Sequence, residues 1–183
     1  DLGWSALLRV DDWDATQDTR YRVIHASSTP YQGIIRRNPV DKREVILAAL
    51  SCNPNKDRGP RPNYVRNINA QDPDLVFFAG DQSYDHREHT AAWLRFGWQF
   101  REVFRNRPCV AIPDDHDVGH GNLWGEGGKH STRVNGTDGG YKFHPEYVRM
   151  VERCQTAHLP DPYDSTPIKQ GIGVYNTRLR IGR

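Results

Sequence analysis

The sequence predicts an α/β fold built on a parallel sheet, and three observations predict it. Short apolar runs lie at 44–50, 75–79 and 109–112, with helical stretches between them. Each run ends in turn-forming or acidic residues. Successive run ends stand about one βαβ unit apart, roughly 30 residues or a little more. Right-handed crossovers turn the order strand, helix, strand, helix, strand into neighbouring parallel strands. The carboxyl ends of those strands then share one edge, where open α/β sheets hold ligands.

Residues 1–40 read as β. The runs 19–24 and 31–36 are rich in β-branched and aromatic residues, and the turn-like Ser27-Ser28-Thr29-Pro30 separates them. They read as the last hairpin of an N-terminal β domain. Two strands alone are marginal in water, so the hairpin is expected to dock on the rest of the chain. Residues 41–183 read as the N-terminal portion of the α/β domain. The continuous run 44–50 predicts a strand buried on both faces, ending in Ser51-Cys52-Asn53-Pro54. A helix is expected from near Pro62 until Pro73 ends it. The run 75–79 ends in Gly80-Asp81. The next helix spans about 89–107, with Trp93, Leu94, Phe96, Phe100, Val103 and Phe104 at helical spacing and Pro108 as its stop. The run 109–112 leads into Pro113-Asp114-Asp115. A long Gly-rich loop covers 118–140, a helix 146–156, and a further strand 173–179.

Composition narrows the function. The 183 residues carry a formal net charge of +2, too balanced to imply nucleic acid or an anionic membrane. No apolar run approaches the roughly 20 residues that span a bilayer. The chain starts at Asp1 without a Met and reads as a piece of a longer one. Cys52, Cys109 and Cys154 fit no disulfide framework or zinc finger. Cys109, inside an apolar run, and Cys154, in an expected helix, read as structural. There is no Gly-x-Ser-x-Gly elbow, no Walker loop and no dinucleotide-binding turn.

What remains is the acidic edge. Gly80 lets the chain turn sharply after its strand and projects Asp81, where a carboxylate can bridge two cations. Tyr84, three residues on, can return to the same spot, and a phenolate suits a trivalent iron. Asp114-Asp115-His116-Asp117 sets three carboxylates around one imidazole, an arrangement that calls for a cation or a hydrogen-bond network. Asp115 reads as a ligand and His116 as a general acid near neutral pH, with Asp117 or Asp114 orienting its ring. Cys52 is a possible thiolate ligand by its position beside the two acidic strand ends. In the loop, His120, Asn122, Lys129 and Arg133 could contact a phosphate, the alternative being a solvated, variable loop. Phosphoester hydrolysis by direct attack of a metal-bound hydroxide is the favoured chemistry.

These residues resemble a known family. Gly80-Asp81-x-x-Tyr84 looks like the second block of calcineurin-like metallophosphoesterases. Asp114-Asp115-His116-Asp117 is similar to the third block in its alkaline phosphatase D (PhoD-like) form, and Leu50-Ser51-Cys52 resembles that group's first block. Tyr31-x-Gly33-x-Ile35-Arg36 looks like the end of its N-terminal β domain. The resemblance implies a calcineurin-like sandwich, here truncated. It also implies a binuclear or multinuclear centre, with Fe3+ held by Cys52, Asp81 and Tyr84. A divalent ion (Ca2+, with Mn2+ or Zn2+ as further options) would share Asp81 and bind Asp115. His116 would protonate the leaving group or steady the phosphate. Phosphomonoesters and phosphodiesters are the implied substrates, and an exported location the implied setting. Members carry further metal-binding Asp and His residues downstream, and no late Gly-Asp-x-His appears here. The resemblance therefore implies a C-terminal part of the same chain that completes the site, or a chain not active by itself. The competing reading is a non-catalytic metal-binding or interaction module.

Overall fold

The computed structural model of the protein describes residues 6–54, 59–86 and 88–183. The fold is mixed α/β. Strands β1 (Thr19–Val23) and β2 (Tyr31–Ile35) form an antiparallel hairpin with Tyr21 opposite Gly33. Strands β3 (Leu47–Leu50), β4 (Leu75–Ala79) and β5 (Cys109–Ile112) form a parallel sheet in that order. Helix α1 (Arg61–Gln71) joins β3 to β4, and α2 (His89–Phe104) joins β4 to β5. Helix α3 (Pro145–Thr156) comes after the long loop.

Local chemistry accounts for these boundaries. Pro62 sits in the first turn of α1, where no amide donor is needed. Asp72 ends that helix in the left-handed region, with φ 46°, and Pro73 prevents its continuation. In α2 the residues Ala92, Phe96, Phe100 and Val103 recur at helical spacing and form its buried face.

That face packs on the sheet. Register places Leu50, Phe78 and Ala111 side by side, and Ala48, Val76 and Cys109 likewise. Phe78 meets Phe96 edge-on with ring centroids 4.9 Å apart and Phe100 at 5.2 Å. With Ile68 and Val103 they form the main core. A second core gathers Val118, Val148, Met150, Val151 and Ile172 around α3.

The expected strand at 44–50 is shorter, and it is not buried on both faces. It begins at Leu47, whose side chain is 55% exposed on the face away from Phe78. The reason is topological. β3 is an edge strand, and crossovers of one hand carry successive helices to the same face of the sheet. The expected strand at 173–179 is also absent. The tail is held by scattered bonds, such as Tyr163 N–H to Asn176 O at 2.9 Å and Gly182 N–H to Asn38 Oδ1 at 2.7 Å, and builds no ladder among the described residues.

The hairpin docks on the end of α2. Tyr21 and Tyr31 donate their hydroxyls to the carbonyls of Arg105 (3.0 Å) and Arg101 (2.7 Å). Gly33 is required by this approach, because a Cβ there would lie 2.0 Å from Arg105 O.

Two acidic residues staple the end where the chain enters the sheet. Asp72 accepts from Arg36 at 2.6 Å and Arg107 at 2.9 Å. Asp74 accepts from Lys42 Nζ at 2.5 Å and from Ile46 N–H at 3.0 Å. No helix among the described residues is long and apolar enough to cross a membrane.

Candidate metal centre

The strand ends are built from unusual backbone. Cys52 (φ 57°) and Asp81 (φ 56°) both occupy the left-handed region, uncommon for residues with a Cβ and frequent where function holds a side chain in place. Gly80 (φ 87°) passes so close to the β5 turn that a Cβ there would lie 2.3 Å from Cβ of Asp114. The turns are sewn together. Cys52 N–H donates to Gly80 O at 3.3 Å and Asn53 N–H to Asp81 O at 2.8 Å. The buried Gln82 bridges β4 and β5 by donating to Phe78 O at 3.3 Å and Ile112 O at 2.9 Å.

Asp81 is the hub of the site. Its Oδ2 accepts from Tyr84 OH at 2.8 Å and from Cys52 Sγ at 3.5 Å. Its Oδ1 accepts from His116 N–H at 3.3 Å, and Oδ1 of Asp115 accepts from the same amide at 2.9 Å. The other oxygen of Asp115 accepts from Asn122 N–H. One ligand atom from each of Asp81, Asp115 and His116 lies within 4.8 Å of the others, so these residues form a possible metal-binding cluster. Tyr84 packs on the His116 ring with centroids 4.1 Å apart. Cys52, Asp81, Tyr84, Asp115 and His116 are therefore brought together from three strand ends.

The electrostatics suit a cation. Among the described residues, neither Asp81 nor Asp115 has an ion-pair partner. Burial raises the pKa of Tyr84, and hydrogen bonds to Cys52 and Asp81 raise it further. The phenol form therefore prevails in this setting, and only a cation alongside would favour the phenolate. Carboxylate, imidazole, thiol and phenol together cover hard and borderline metals, so the donor set fits an ion without selecting one.

Two expectations are corrected. Neither Asp114 nor Asp117 orients the His116 ring. Asp117 is fully buried and accepts from the amides of Gln82 (3.3 Å), Ser83 (3.1 Å) and Asp114 (3.0 Å), which locks the β4 and β5 turns together. Burial pushes its pKa up to about 6 against the pull of those donors. Asp114 is exposed and accepts from Asp115 N–H at 2.8 Å. The ring partner of His116 is His86, with Nε2 of His86 2.7 Å from Nδ1 of His116. Burial, then the nearby His116 and His120, lower the pKa of His86. Sequence reasoning missed His86. The available signal was an imidazole two residues beyond Tyr84 in the same strand-end loop.

The loop residues divide. His120 is buried, with Nδ1 3.0 Å from Gly121 O. Asn122 meets Asp115 through its backbone alone, in a left-handed conformation of φ 62°. Lys129 pairs with Glu126 at 2.6 Å and Arg133 bonds Thr137 at 3.4 Å, both within the loop itself. Cys109 and Cys154 are half-buried on the two cores, as structural cysteines are. No family model, curated protein or solved structure matches this chain.

Proposed function

We propose that the protein is a metal-dependent hydrolase of phosphomonoesters or phosphodiesters, of the alkaline phosphatase D-like type. The observation that carries this reading is the gathering of Cys52, Tyr84, Asp115 and His116 around Asp81, from the ends of three parallel strands, with no ion-pair partner for either carboxylate among the described residues. In this reading Cys52, Asp81 and Tyr84 hold a trivalent iron, and Asp81 and Asp115 a divalent ion such as calcium. When bound, such ions supply charge at the phosphoryl oxygens and an activated water. His116 faces the leaving group as the acid, the role in which imidazole most often serves. In this reading the second layer of a calcineurin-like sandwich would need an open sheet face, and the exposure of Leu47 on β3 is compatible with that. An exported location belongs to the same reading.

Full-length protein loaded with iron and calcium is expected to hydrolyse a p-nitrophenyl phosphodiester in proportion to its metal content. Stoichiometric metal with no hydrolysis would favour the interaction module instead. A visible tyrosinate-to-iron band is expected in the loaded protein and should vanish in Tyr84→Phe. A band that survives the substitution would remove Tyr84 from the ligand set.

A further inference from the structure

Two separate observations describe how the ring of His116 is mounted. The first concerns Nδ1. His86 Nε2 lies 2.7 Å from it, and the two rings stack with centroids 4.9 Å apart and planes 28° from parallel. The loop that carries His86 is itself tied to α3, because Tyr147 OH donates to His86 O at 3.3 Å.

The second concerns the other nitrogen. A Cβ at residue 121 would lie 2.8 Å from both Nε2 and Cε1 of His116. Gly121 does not lie in the left-handed region, so its backbone does not demand glycine. What glycine supplies there is room beside Nε2. With Nδ1 taken up by His86, Nε2 is the nitrogen left for the cluster or for substrate.

Two neutral imidazoles at this distance share one proton between the facing nitrogens, and the direction matters. If His116 donates, its Nε2 is a bare lone pair suited to a metal ion. If His86 donates, Nε2 of His116 carries the proton and is suited to an oxygen. An acid must carry its proton on the nitrogen that meets the leaving oxygen, so the reading of His116 as the acid selects the second arrangement.

We propose that His86 is a positioning residue whose Nε2–H donates to Nδ1 of His116. It thereby fixes the tautomer in which Nε2 of His116, in the space left by Gly121, is the proton donor to the leaving oxygen. The consequence for turnover rests on the phosphoesterase reading. So does the choice of tautomer, whereas the contact between the two rings does not.

The test uses full-length protein and two readouts. In metal-free protein the imidazole nitrogen chemical shifts of His116 should report a protonated Nε2 and a bare Nδ1. His86→Gln, whose amide N–H has similar reach, should preserve that state. His86→Phe, which keeps a ring without a donor, should mix the tautomers. In metal-loaded protein His86→Phe should lower kcat on a p-nitrophenyl phosphodiester about 10- to 100-fold, as loss of an orienting partner does. KM and metal content should hold, and His86→Gln should recover most of the rate. A proton found on Nδ1 of His116, equal rates for the Phe and Gln variants, or metal lost from His86→Phe would each overturn the assignment. The expected tautomer in a protein that hydrolyses no ester would contradict the phosphoesterase reading and leave the mount of His116 standing.

Discussion

The two ends of the parallel sheet treat acidic residues in opposite ways. At the entering end, Asp72 and Asp74 are each matched by fixed cations, from Arg36, Arg107 and Lys42. At the leaving end, among the described residues, Asp81 and Asp115 accept from backbone amides, a phenol and a thiol and from no cation. The pKa values track the difference where a shift is resolved. Hydrogen bonding to Arg36 lowers Asp72. Burial alone would raise Asp74, but Lys42 and the Ile46 amide overrule it and the net shift is downward. At the other end Tyr84 is driven up by burial and by Cys52 and Asp81. An acid with its own cation belongs to the architecture. Acids gathered without one, with Asp81 on left-handed backbone, form a possible metal-binding cluster.

The largest expected break in this contrast is Asp81→Asn. It removes the oxygen shared by Tyr84 and Cys52, and metal affinity should fall by more than about 100-fold, beyond what loss of an outer partner costs. Metal titration of the purified variant checks it. Next comes His116→Ala. Turnover should fall about 10²–10⁴-fold with metal content unchanged if the residue is the acid. Loss of metal would instead make it a ligand.

The entering end should answer in stability and not in metal. Asp74→Ala leaves the Ile46 amide without its acceptor, which should cost about 1–3 kcal/mol in denaturant unfolding at pH 7. The pH dependence has a definite sign. The folded pKa of Asp74 lies below its unfolded value, so its contribution is complete above about pH 4 and disappears as acid protonates it. The wild type and the variant should therefore converge in stability below that pH. The smallest effect belongs to Arg36→Ala. Its partner Asp72 is well exposed and keeps Arg107, so the loss should be about 0–1 kcal/mol.

Much of this organisation was legible in the residues. Apolar runs closed by Pro or Gly-Asp located β4, β5 and both crossover helices, because buried strands and helix stops depend on local chemistry. The same logic brought Cys52, Asp81 and Asp115 to one edge, since parallel strand ends share a side whatever the loops do. Three things were not legible. The exposure of Leu47 depends on which face the helices cover, a property of the whole sheet. The tail at 173–179 has strand-like composition, but a strand needs a ladder, and among the described residues it has only isolated bonds to residues 160–163. The roles of Asp117 and His86 depend on how two loops cross. Asp117 points inward to three amides while His86 arrives from the neighbouring loop, and no spacing within the Asp114–Asp117 motif encodes that.

Metal binding by full-length wild type, Asp81→Asn and Asp74→Asn, measured side by side, tests the contrast between the two ends most directly. Wild type and Asp74→Asn are expected to bind iron and calcium alike, while Asp81→Asn binds neither tightly. A wild type that binds no metal, or an Asp74→Asn as impaired as Asp81→Asn, would contradict that contrast.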